Sequence, residues 1–175
     1  MNGDPTVEVP LTEEGREEAR LLGTQLANIR LDLCIHTRFP RTRETAELAV
    51  AGRDVPLAVE PLLDDIDIGE LEGFSLERYR EVKDELGRDR PFPGGESLDA
   101  AARRYAEAFR GLVARWAEHV LVVCHEIPVR YALNAAARSD LLDGPPFHEI
   151  PNAVPFLLEG NALSQAAARI EQLAS

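Results

Sequence analysis

The chain has 175 residues and little of several things that mark a habitat or a partner. Its two cysteines, Cys34 and Cys124, each lie within an apolar run. They make no disulfide framework and suit small core residues in a reducing compartment. No apolar run approaches the ~18 residues needed to cross a bilayer, and the N-terminus lacks a charged-then-apolar signal segment. No membrane association is therefore expected, and the expected location is cytoplasmic. Cations are short as well: 19 Lys and Arg against 31 Asp and Glu leave a net charge of −12. That balance argues against nucleic acid or an anionic membrane face as partner. No Cys-x-x-Cys, His-x-x-x-His or carboxylate cluster has metal-ligand spacing, so no metal and no cofactor is expected. What is present is an ordinary 45% of hydrophobic residues, too many for disorder and enough for one hydrophobic core. Residues 1–175 therefore read as a single domain. Only Lys83 is lysine among the bases; the rest are arginines, whose planar fork suits phosphate.

Strand and helix signals alternate. Thr12 is an N-cap before Glu13 and Glu14, with Ala19, Leu22, Leu26 and Ile29 at helical spacing behind it. Residues 31–37 (LDLCIHT) read as a buried strand, 40–50 as a helix with proline at its start, and 55–60 as a second strand. Residues 62–73 are acidic and irregular. A helix runs from Ser75 to Leu86, ended by Gly87. Pro91 to Gly95 breaks the chain, and the longest helix runs from Ser97 to about Trp116. Residues 119–124 (HVLVVC) form the clearest buried strand, succeeded by a helix from about Pro128 to Ala137. A last strand is expected at 152–158 and a last helix at 163–173. Such alternation predicts an α/β fold with a mostly parallel sheet and helices on both faces, chemistry gathering beyond the carboxyl ends of the strands. The strand order is not legible.

Two strand ends carry polar candidates. His125 ends an apolar strand just before a helix, where free N–H groups and the helix dipole favour an anion; the plain alternative is a histidine satisfied by a carbonyl. Arg41 opens the helix after the 31–37 strand and offers two parallel donors to the same anion, with Arg38 and Arg43 in competition. The acidic run 63–69 (LDDIDIG) offers a general acid if one carboxyl is held beside that site. Cys124 and Arg130 match the Cys-x₅-Arg spacing of cysteine-dependent phosphatases. The intervening Ile127, Pro128 and Val129 include no glycine, and Pro128 has no N–H for a phosphate-wrapping loop.

In order along the chain, these segments resemble the histidine phosphatase (phosphoglycerate mutase-like) superfamily from about Asn2 to Leu158. The landmarks are 11–16 (LTEEGR), 41–46 (RTRETA), 63–73 (LDDIDIGELEG), 93–97 (PGGES), 120–125 (VLVVCH) and Asn152-Ala153. The resemblance implies a three-layer α/β/α fold and phosphoryl transfer to a histidine, then hydrolysis. It makes Arg41 and His125 phosphate ligands, and places the proton donor at Asp65 rather than Asp64 or Asp67. It also makes Asn2 and Gly3 part of the loop beside the substrate.

Three departures from the family pattern stand out. The nucleophile of the family lies in an Arg-His-Gly motif at the end of a first, central strand, and this chain has no match to it. His36, His119 and His148 are poorly placed to replace it. Glu126 stands where glycine is usual, and Asp65 is shorter than the commoner glutamate. A strand buried on both faces contributes an amount comparable with a whole domain's stability, so its absence implies a natural protein longer by one strand, with Met1 a misassigned or engineered start. The expected function is a phosphatase of small phosphorylated metabolites. The alternatives are a catalytically inactive member that binds phosphorylated ligands or a partner, a mutase-type phosphotransferase, and the cysteine phosphatase. The substrate and the oligomeric state are not legible.

Overall fold

The structure, a computed structural model, describes residues 4–174. Helix α1 (Glu13–Gln25) begins where the Thr12 hydroxyl accepts from the backbone N–H of Gly15, with Glu13 and Glu14 complementing the helix dipole. Strand β1 (Leu33–His36) is buried along its whole length. It leads into α2 (Pro40–Ala49), whose proline occupies a position that needs no N–H. Strand β2 (Leu57–Val59) is next, and the acidic segment after it is irregular apart from two single 3₁₀ turns. Helices α3 (Leu76–Leu86) and α4 (Leu98–Val113) are capped by the hydroxyls of Ser75 and Ser97. Strand β3 (Val120–Val123), α5 (Glu126–Ala136) and α6 (Gly160–Leu173) complete the order.

The three strands are parallel in the order β2-β1-β3, with Leu33 opposite Val120 and Cys34 opposite Leu57. Helices α1 and α2 pack together on one face, where Cys34, Ala46, Val50 and Val55 form a small core. The larger core lies on the other face: Ile35, Leu63, Ile66 and Tyr105 gather there with residues of α4, α5 and α6. This is the three-layer α/β/α arrangement, and it sets the carboxyl ends of β1 and β3 side by side. Among the described residues no helix is long and apolar enough to cross a membrane.

Three sequence expectations fail, the first two for linked reasons. Residues 152–158 form no strand. Pro151 and Pro155 remove donors from that segment, and the free edge of β3 is separated from it by a groove of about 810 Å³ that both line. Without a ladder to join, the segment leaves Val154, Phe156 and Leu157 exposed. Strand β3, expected to be buried, is only half-buried because the same groove runs along it. The groove passes between the two helix layers, with Leu22 of α1 on one side and Phe109 and Leu112 of α4 on the other. Helix α4 also stops short of Trp116, which is 77% exposed.

Candidate active site

The site is built where β1 and β3 end. After β1 the chain passes through Thr37 and Phe39 into the first turn of α2, which carries Arg41. After β3, His125 is the N-cap residue of α5, with extended backbone and no hydrogen bond from its side chain to the helix. The third component arrives on the acidic segment, and four groups fix its position. Asp64, buried, accepts from the backbone N–H of Arg38 at 2.9 Å and from its Nε at 2.5 Å. Arg104, on α4, donates to the carbonyls of Leu62, Asp64 and Asp65. Glu96 accepts from Arg104 and from the N–H of Asp67. Gly69, with φ of 52°, lies so close to the 93–95 turn that a Cβ would come within 2.2 Å of the Pro93 carbonyl oxygen. The tight docking of these two segments requires glycine there.

Arg41, Asp65 and His125 meet as a result. Arg41 Nη2 lies 3.0 Å from Asp65 Oδ2 and 3.1 Å from His125 Nδ1. Asp65 Oδ2 is 3.5 Å from the same ring nitrogen. On the far side of the imidazole, Nε2 is 2.9 Å from Thr37 Oγ1, itself 2.7 Å from Thr42 Oγ1. Phe39 packs edge-on against the imidazole at 4.6 Å between centroids, and its ring carries the Arg41 guanidinium 4.3 Å above it. The three residues all line the groove.

Burial and charge set the protonation states. Burial pushes the Asp65 carboxyl up to about 6, against the opposing pull of Arg41. Burial first, and then the positive charges of Arg41 and Arg104, hold His125 well below its ordinary value. At neutral pH the imidazole is therefore uncharged, and Asp65 is a carboxyl that takes a proton with little cost. Arg41 is itself lowered by burial but sustained by Asp65. The arrangement offers a cation, a neutral imidazole and a near-neutral acid around one opening.

The competing candidates lie elsewhere. Arg43 is paired with Glu47 on the exposed side of α2, and Arg38 is committed to Asp64. Glu126 turns to Arg130 at 2.7 Å, which offsets its charge beside the site. His36 holds the Thr37 carbonyl through Nδ1 at 2.7 Å. His119 pairs with Asp32 at the opposite end of β3, and His148 is exposed. Asn2 and Gly3 lie outside the described residues. Sequence reasoning placed Thr37 at a polar strand end and Thr42 within the 41–46 landmark but gave neither a role, and it missed Phe39 and Arg104.

The Cys124 thiol is pushed up to about 12 by burial, so it stays protonated and is a poor nucleophile. Iodoacetamide at neutral pH is expected to modify Cys124 far more slowly than free cysteine, by mass spectrometry. A Cys124→Ser chain is expected to keep its phosphate affinity within about twofold. Rapid alkylation together with lost affinity would restore the cysteine-phosphatase reading.

Residues 4–166 match the model of the histidine phosphatase superfamily, branch 1. The chain belongs to that superfamily. It is 30% identical over 139 residues to phosphoserine phosphatase 1 of Hydrogenobacter thermophilus, covering 75% of this chain and 66% of that enzyme. It thus spans about two thirds of that relative's length. It is 32% identical over 171 residues to the 2,3-bisphosphoglycerate-dependent phosphoglycerate mutase of Rhizobium etli, covering 86% and 78%. Its fold is also that of a putative α-ribazole-5′-phosphate phosphatase from Escherichia coli, with a TM-score of 0.70 at 21% identity over 84% of this chain and 76% of that one.

Proposed function

We propose that this superfamily member is a phosphatase of small phosphorylated metabolites working through a phosphohistidine, its nucleophile supplied by an extended segment seated in the groove beside β3. The observation that carries the reading is the meeting of Arg41, Asp65 and His125 within 3.5 Å at strand ends that line that groove. In the first step an imidazole nitrogen attacks phosphorus and the bond to the leaving oxygen breaks. Asp65 gives that oxygen its proton. Arg41 and His125 hold the equatorial oxygens. In the second step water attacks the phosphohistidine, the ionised Asp65 takes the proton, and inorganic phosphate leaves. A carboxyl held up to about 6 suits both duties, because it is close to either state near neutral pH. Phosphatase is preferred to mutase because the stretch between Gly73 and Pro93 is filled by the single helix α3, which leaves little room for a further substrate-enclosing insertion.

A second reading, a binder of phosphorylated ligands without turnover, is favoured by where the other histidines point: His36 to a backbone carbonyl, His119 to Asp32. Joining an apolar strand with a terminal Arg-His-Gly to the N-terminus, and assaying p-nitrophenyl phosphate, separates the two. Turnover that disappears in His125→Ala and falls about 10²-fold or more in Asp65→Asn supports the phosphatase. Turnover unchanged in both variants would overturn the site. A fused chain that binds orthovanadate but turns nothing over is the result the binder requires.

A further inference from the structure

The groups behind His125 form a directional chain. With the Thr42 Oγ1 proton on the Phe39 carbonyl, 2.9 Å away and nearer than the Thr37 carbonyl at 3.5 Å, the chain runs in one direction. Thr42 Oγ1 then accepts from Thr37 Oγ1 at 2.7 Å, which uses the one hydroxyl proton Thr37 has. Thr37 Oγ1 is left as an acceptor, and it takes the proton of His125 Nε2 at 2.9 Å. The front of the ring selects this direction over the reverse, in which Thr42 would donate to Thr37 and Thr37 to Nε2. Arg41 Nη2 is a donor only, so His125 Nδ1, 3.1 Å away, faces it with a lone pair. Both threonines are buried, Thr37 just beyond β1 and Thr42 on α2, and the Phe39 ring packs against the imidazole in a T-shaped contact.

We infer that Thr37 and Thr42 are positioning residues that fix His125 as the Nε2–H tautomer and present its Nδ1 to the incoming phosphoryl group. The inference rests on the proposed role of His125 and adds the device that sets which nitrogen meets the substrate. With Nε2–H committed to Thr37, any proton the ring gains must reside on Nδ1, 3.5 Å from Asp65 Oδ2. A monoprotonated phosphoryl group can deliver its own proton to Nδ1, and the ring then faces the phosphoryl oxygens as an Nδ1–H donor. Without the hydroxyl, Nε2–H faces an apolar wall, and the ring gains by exchanging tautomers or rotating.

The test is a long-range ¹H–¹⁵N correlation spectrum of the imidazole in the full chain, which assigns the tautomer directly. Wild type is expected to show one species, with the proton on Nε2 and an unprotonated Nδ1. In Thr37→Val the ratio of tautomers is expected to fall about tenfold or more. Thr37→Ser restores the single species, and Thr42→Val shifts the Nε2 resonance with a smaller change of ratio. Orthovanadate affinity is expected to drop in Thr37→Val and recover in Thr37→Ser. An Nδ1–H wild type, or a folded Thr37→Val chain with an unchanged spectrum, would overturn the inference; should Thr37→Val not fold, an unchanged Thr42→Val spectrum does so. The spectrum needs no ligand. A chain with the expected tautomers that binds no oxyanion would count against the phosphatase reading and leave the relay standing.

Discussion

An Arg41→Met chain is expected to bind orthovanadate about 10²- to 10³-fold more weakly than wild type, by calorimetry at pH 7.5. Charge-assisted hydrogen bonds contribute roughly 1.5–3 kcal/mol each, and a guanidinium can give two to one tetrahedral anion. Each 1.4 kcal/mol is about a factor of ten in affinity. Methionine keeps an apolar stem over the Phe39 ring, so the local packing changes little. Protonation then modifies the loss in a defined direction. Arg41 contributes to holding His125 down and opposes the rise of Asp65. Its removal lets both groups bind protons at higher pH, which makes the site less repulsive to an anion. The deficit is therefore expected to shrink toward pH 6 and widen toward pH 8. Arg43→Met removes an exposed pair with Glu47 and is expected to change affinity less than twofold. If Arg41→Met bound within about threefold of wild type, the clamp would have to be assigned to other cations.

What the sequence discloses divides along a physical line. Signals that act over a few residues are legible: the Thr12, Ser75 and Ser97 caps each accept from the N–H three residues on. The LDLCIHT and HVLVVC runs contain β1 and β3 within one or two residues of their bounds. Residues 152–158 show where that logic stops. Their composition suits a strand, but a strand exists only against a neighbour, and here the neighbouring position is a groove. The same gap explains why β3, apolar throughout, is half-buried.

The site divides in the same way. Arg41, Asp65 and His125 stand in segments whose order along the chain resembles a family, and they lie together in the structure. Arg104 carries no such signal, because its three carbonyl acceptors lie about 40 residues away and no short-range pattern joins them. In the sequence Thr37 reads as the last residue of a strand and Thr42 as a residue in the first turn of a helix, with nothing that pairs either with a histidine. Their importance depends on His125, which is 88 residues from Thr37 in the chain.

Replacing Asp65 with asparagine is expected to stabilise the fold at neutral pH, by about 1–3 kcal/mol in urea denaturation at pH 7.5. The carboxyl is pushed from 3.8 up to about 6 by burial, its side chain being only 24% exposed. A shift of that size corresponds to roughly 3 kcal/mol at most, at 1.36 kcal/mol per unit. The sign depends on which state binds the proton more tightly. Below about pH 4 the carboxyl is protonated in both the folded and the unfolded chain, and burial costs nothing extra. As the pH rises toward 6 the unfolded chain ionises freely while the folded one resists, so stability is lost across that window. Asparagine never ionises, but its single amide oxygen can replace only one of the two carboxylate oxygens, Oδ2 that accepts from Arg41 or Oδ1 that accepts from the N–H of Ile66, so the lost bond keeps the gain below that ceiling. The gain is therefore expected to vanish near pH 4, grow between pH 4 and 6, and level off above. His125 shifts in the opposite direction but is present in both chains, so it largely cancels from the difference. An Asp65→Asn chain less stable than wild type at pH 7.5 would mean that the ion pair with Arg41 outweighs burial, and Asp65 would lose its standing as a held acid. On the proposed role of Asp65, a fold that gives up stability to bury a carboxyl with a raised affinity for a proton must show both effects in the one variant, a gain in stability and, in the fused chain, a loss of turnover.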